Sequence, residues 1–165
     1  MPYTYEYPRP AVTVDVAVFG RRRGALSVLL IERKHEPFKG AWALPGGFVD
    51  KDEALEVAAA RELREETGVT GLALTQVGAF GTPGRDPRGH TVSVAFVTLA
   101  NPENVRPEAG DDAARAEWHD WEDLELGDPA ATSTTRQSTG QRVRLAVDHD
   151  QVLLAAKAKL DRIAT

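Results

Sequence analysis

Hydrophobic and polar positions along the chain alternate in two distinct rhythms. Val12, Val14, Val16 and Val18 alternate with Thr13, Asp15 and Ala17, which predicts a strand with one buried face. Leu26 to Ile31 is a near-continuous apolar run and predicts a more central strand. Ala41 to Leu44 is a short apolar stretch stopped by Pro45-Gly46-Gly47. Asp50 to Thr67 then carries the clearest helical pattern, with Asp50 as the expected N-cap, Glu53 three residues on, and Gly68 just past the end. Strands are expected near 72–80, 91–99 and 114–121, with the Gly/Pro-rich stretch 81–89 joining the first two. Residues 128–141, rich in Ser, Thr, Gly and Pro, read as a surface loop. A last helix, about 149–164, lines Leu153, Ala156, Leu160 and Ile163 along one stripe.

Composition narrows the function classes. The chain has 165 residues, the size of one compact domain over 1–165, and no internal repeat is visible. No cysteine is present, so disulfides and thiolate metal sites are excluded. No apolar run approaches the roughly 20 residues of a membrane span, and the first residues lack a signal-peptide pattern. A cytoplasmic protein is expected. The net charge of −5 argues against nucleic acid or an anionic membrane as a partner. Phosphate binding by such a chain has to be local, through metal ions or a few placed arginines.

The predicted helix carries an arrangement that needs a physical reason. Glu62, Glu65 and Glu66 fall within an arc of about 100°, on the same side as Leu55 and Ala59. Like charges at i and i+4 repel, and carboxylates at a helix C-terminus face the unfavourable end of the macrodipole. A hard divalent cation offsets both effects, because Mg²⁺ binds carboxylate oxygens and carries substrate phosphates with it. A charged surface helix, balanced by Arg61 and Arg64, is the simpler alternative for these three residues alone.

The surroundings extend the pattern. From Gly47 the chain runs five residues to Glu53, seven more to Arg61-Glu62-Leu63, then Glu65-Glu66 and Gly68-Val69. This resembles the Nudix box at every fixed position, and Trp42 to Gly47 resembles the family's usual lead-in. The resemblance implies an α/β fold, a Nudix-type α/β/α sandwich with a mixed central sheet. It implies hydrolysis of a pyrophosphate bond with Mg²⁺, or Mn²⁺, as cofactor. Carried over residue by residue, Glu62, Glu65 and Glu66 are the metal ligands, with the Gly46 carbonyl as a further one. Glu53 and Arg61 pair to lock loop to helix, and Glu53 can also sit near the metals. The general base is either Glu65 or an acid of the loop near 103–112, with Glu108, Asp111 and Asp112 as candidates.

Outside the box, Arg85-Asp86-Pro87-Arg88-Gly89 resembles a stretch of microbial ADP-ribose pyrophosphatases, as do Pro83, the segment 109–113 and Val147-Asp148-His149. This implies cleavage of ADP-ribose to AMP and ribose 5-phosphate, and a homodimer, since such relatives often pair. Arg85 and Arg88 suit bidentate phosphate contacts, with Asp86 orienting one of them, and Arg33 is a further substrate-binding candidate. The alternative for this turn is a solvated loop closed by its own Arg–Asp pair. His35, His90, His119 and His149 have no metal-site spacing and are expected to be structural or exposed; the three tryptophans are expected in the core. Two other functions are alternatives: a house-cleaning nucleoside triphosphatase, which would share the box, and a sensor domain that binds ADP-ribose derivatives without cutting them, which usually shows a decayed box where this one is intact.

Overall fold

The computed structural model describes residues 3–110, 112–127 and 142–164. Its centre is β1 (Ala11–Arg22), in which residues 13–20 are all buried. The alternation in this segment predicts one buried face; the structure buries both. Val14, Val16 and Val18 pack against Ala58, Ala59 and Leu63 of α1 (Leu55–Thr67). On the other face, Ala17 and Phe19 pack against Val152, Leu153 and Ala156 of α2 (His149–Ile163). A helix covers each side, so even a residue as polar as Asp15 is enclosed.

The sheet is mixed. β1 pairs antiparallel with β2 (Ala25–Arg33) and β4 (Gly46–Phe48), and parallel with β6 (Thr91–Leu99). The strand order is β3–β2–β1–β6–β5, where β3 is Trp42–Ala43 and β5 is Thr75–Phe80; β7 (Ala113–Asp120) adds to β2. With α1 on one face and α2 on the other, the architecture is the expected α/β/α sandwich. The strand expected from 72 begins only at Thr75, because Leu72 and Leu74 turn under α1 and join its apolar cluster as irregular chain. Trp42, Trp118 and Trp121 are half-buried at the rims of the two main clusters. Among the described residues, no helix is long and apolar enough to cross a membrane.

The ends of α1 set the geometry of the site. The helix starts at Leu55 with Ala54 in the N-cap position, which corrects the expectation that Asp50 caps it. Asp52 takes a left-handed conformation (φ 60°) and interrupts the helical backbone. Half of the exchange expected of a capping box occurs, one turn too early: Asp50 N–H donates to Glu53 Oε2 (2.9 Å), but Glu53 N–H donates to the Asp50 backbone carbonyl (3.2 Å) rather than to its side chain. At the far end Gly68 adopts φ 73° and its N–H closes on the Arg64 carbonyl. The loop before β7 completes this end, with Glu108 N–H donating to Thr67 O (2.9 Å) and Gly110 N–H to Glu66 O (3.1 Å).

Candidate active site

A cleft opens where β1, the loop into β4, the C-terminal turn of α1 and the 81–89 turn meet. It gathers Gly46, Glu66, Arg33, Arg85, Asp86 and Arg88, all expected from the sequence. Glu66 is buried and accepts a hydrogen bond from Gly46 N–H (2.9 Å). Burial, with Glu62, Asp15 and Asp112 nearby, pushes its carboxyl up to about 8 despite that bond.

Glu62 lies against the same loop. A Cβ on Gly47 would come within 2.6 Å of the Glu62 carboxylate, so only glycine lets that side chain lie on the backbone there. Burial raises the Glu62 carboxyl as well, against the pull of Arg61. Arg61 stands among the acids: its Nε donates to Glu53 Oε1 (2.7 Å), its Nη1 to Glu62 Oε1 (2.7 Å) and Glu65 Oε2 (3.1 Å), and its Nη2 to the Phe48 carbonyl (3.0 Å). The hydrogen bonds from Arg61 hold the Glu53 carboxyl down at about 2. Glu53 and Arg61 therefore do lock the loop to the helix. With Arg61 interposed and Glu66 turned to Gly46, no three acids or histidines among the described residues converge as a ready metal cage.

The candidate bases are spread out. Glu65 keeps 40% of its side chain exposed. Glu108 is exposed and enters the helix end only through its backbone. Asp112 is exposed beside His35 (3.7 Å), and its charge reaches Glu66. Asp111 and the segment 128–141 lie outside the described residues.

The two arginines of the turn differ. Arg85 is 5% exposed and grips Asp148, at the start of α2, through Nε (2.9 Å) and Nη2. Arg88 is 39% exposed and pairs with the buried Asp86 (Nη2–Oδ2 2.7 Å), its guanidinium resting over the Phe48 ring. Asp86 thus orients Arg88, and Arg85 belongs to the framework. Arg33 Nε donates to the Pro37 carbonyl (2.8 Å).

One cleft residue escaped the sequence analysis. Asp15 is buried on the α2 side of β1, accepts a hydrogen bond from Ser93 Oγ, and lies 3.4 Å from His149 Nε2. Burial alone would raise its carboxyl, but His149, Ser93 and Arg85 hold it below the usual range. The signal was an acid at the centre of an otherwise apolar strand.

The family model for the NUDIX domain matches residues 9–138. The chain is 42% identical over 118 residues to an ADP-ribose pyrophosphatase of Methanocaldococcus jannaschii, covering 72% of this chain and 66% of that protein. It is 37% identical over 158 residues to the ADPR responsive transcriptional repressor NtrR of Acinetobacter baylyi, covering 94% of this chain and 56% of that one. The chain therefore spans less than two thirds of either relative. The NUDIX domain of Shewanella oneidensis NrtR, solved with ADP ribose, superposes with a TM-score of 0.77 at 29% identity, covering 93% of this chain and 90% of that one. Box, fold and comparisons agree: the chain belongs to the Nudix family.

Proposed function

We propose that the protein hydrolyses the pyrophosphate bond of a nucleoside diphosphate derivative, with ADP-ribose as substrate and AMP and ribose 5-phosphate as products. The observation that carries this reading is the cleft itself, where the buried Glu66 of the box helix and the Gly46 it accepts from share one lining with Arg33 and Arg88. Glu62, Glu65, Glu66 and the Gly46 carbonyl form an all-oxygen donor set suited to Mg²⁺ or Mn²⁺. The Gly47 backbone that seats Glu62, and the acids Glu62, Asp15 and Asp112 whose charges act on Glu66, both fit a cation there. A divalent ion so held would neutralise phosphate oxygens as water attacks phosphorus.

The chain's own residues do the rest. Arg88, oriented by Asp86, presents its guanidinium to a phosphate or ribose-phosphate group. Glu65, Glu108 and Asp112 are the described candidate acids with the exposure to take the proton from water. A second reading, a sensor that binds ADP-ribose without cutting it, is favoured by the likeness to NtrR over 94% of the chain and by Arg61 standing among the acids.

One panel separates the two. ADP-ribose, NADH, diadenosine polyphosphates and oxidised dGTP are each incubated with the protein and Mg²⁺, and the phosphate products are resolved. The hydrolase reading expects AMP from ADP-ribose, abolished by EDTA and restored by millimolar Mg²⁺. ADP-ribose that binds and is recovered intact would establish the sensor instead, and a wide preference for triphosphates would overturn the substrate assignment.

A further inference from the structure

His149 is the first residue of α2, yet its ring is buried in the cleft and reaches back to the loop between β3 and β4 that leads to Gly46. Leu44 N–H donates to His149 Nδ1 at 2.9 Å. A ring nitrogen that accepts a hydrogen bond carries no proton, so the neutral imidazole must hold its proton on Nε2. That nitrogen faces Asp15 Oδ1 at 3.4 Å, while Asp15 Oδ2 accepts from Ser93 Oγ. Ser93 on β6, Asp15 on β1 and His149 on α2 thus form one buried polar chain that ends on the backbone of Leu44. Three further contacts hold the two residues after Leu44. The Pro45 carbonyl accepts from Val16 N–H (2.8 Å), Gly46 N–H donates to Glu66, and Gly46 pairs with Asp15 in the sheet, so close that a Cβ there would meet Asp15 Oδ1.

We infer that His149 is a positioning residue for this loop: its Nδ1 lone pair, oriented by Asp15 and Ser93, anchors Leu44 and so fixes where the Gly46 carbonyl and the Gly47 seat for Glu62 present themselves. The anchor comes from the opposite helix layer, 105 residues away in sequence, so the loop's position depends on how α2 docks. The docking is itself fastened beside the same ring, by Asp148 to Arg85 and by Ala146 N–H to the Trp42 carbonyl (2.8 Å). The functional half of this inference rests on the metal-site reading above.

Two side chains dissect the ring. Asparagine places a carbonyl oxygen where Nδ1 stands and keeps the acceptor for Leu44; glutamine places its amide near Nε2 and loses that acceptor. Three quantities are compared in the parent, His149→Asn and His149→Gln, all confirmed folded by circular dichroism: exchange of the Leu44 amide, Mn²⁺ affinity by electron paramagnetic resonance, and kcat against KM. The expected result is that His149→Gln speeds Leu44 exchange and weakens Mn²⁺ binding by about tenfold each, the scale of one lost hydrogen bond. The fall in turnover should lie in kcat, with His149→Asn restoring most of all three. Nitrogen-15 spectra of the unaltered protein supply a test that needs no folded variant, and should show His149 as the Nε2–H tautomer. A proton on Nδ1, or His149→Gln matching the parent in exchange and metal affinity, or His149→Asn failing as His149→Gln does, would overturn the inference. A parent that binds no Mn²⁺ while Leu44 protection still follows the acceptor overturns the metal-site reading, and with it the functional half of the inference.

Discussion

Single residues in this site act through what their absence of bulk or charge allows. Gly110 has no room for a side chain, because a Cβ would overlap the Glu65 carbonyl oxygen. That close approach lets the loop donate two backbone hydrogen bonds to the C-terminal carbonyls of α1, which the helix cannot satisfy itself. Gly110→Ala should therefore break both, at about 1 kcal/mol each, and carry the neighbouring Asp112 away from the helix acids. Urea unfolding should show a loss of about 2 kcal/mol with a parallel fall in kcat, and an unchanged midpoint would contradict the close contact. Glu66 makes the opposite case. Its amide isostere keeps an acceptor for Gly46 N–H while removing a charge that burial disfavours. Glu66→Gln is expected to stay folded and to lose turnover by orders of magnitude, measured as AMP release; activity like the parent's would exclude Glu66 from the chemistry.

Elements divide the labour between carrying groups and holding them. The turn 81–89 looks like a single arginine clamp in sequence, but its two arginines serve different elements. Arg85 fastens α2 through Asp148, and Arg88 remains open to the cleft. Arg88→Ala should thus lower kcat/KM for ADP-ribose by roughly ten- to a hundred-fold, the worth of a charge-assisted contact of about 1.5–3 kcal/mol, with thermal stability nearly kept. Arg85→Ala should do the reverse, losing about 1–3 kcal/mol of stability by leaving the half-buried Asp148 carboxylate without its charge-assisted hydrogen bonds. If instead Arg85→Ala leaves the melting temperature unchanged and weakens substrate binding, the division is wrong. The helical and strand periods made the core of each element legible, and the box spacing made the acidic helix legible from sequence. What escaped depends on partners distant in sequence. The double burial of β1 follows from helices on both faces, and the seating of His149 in the cleft from α2 docking on Leu44. Local pattern has no access to such contacts.

At the scale of the whole molecule, two helix layers cover one mixed sheet, and β7 extends that sheet beside β2. His119 sits there, opposite Val28, with its ring edge-on to Trp42 at 4.2 Å and its Nε2 without a hydrogen-bond partner. Burial lowers its pKa below the ordinary value of 6.5; Glu117 and Asp123 pull it up, while Arg115 and Arg22 push it further down. The unfolded chain therefore takes up a proton on this ring at a higher pH than the folded chain does. Stability from His119 is fully present above about pH 6.5 and is lost as pH falls through that value toward the folded pKa. A neutral replacement such as His119→Gln has no such proton to bind. Chemical denaturation of the parent and of His119→Gln, repeated between pH 8 and pH 5, should show the parent losing stability more steeply below pH 6.5. The Glu53–Arg61 lock should fail only later, as pH drops from the ordinary glutamate range toward about 2, so the two effects separate along the titration. Parallel pH profiles for the parent and His119→Gln between pH 8 and pH 5 would show that the ring is solvated in the native protein, and that β7 seals the sheet less tightly than its packing indicates.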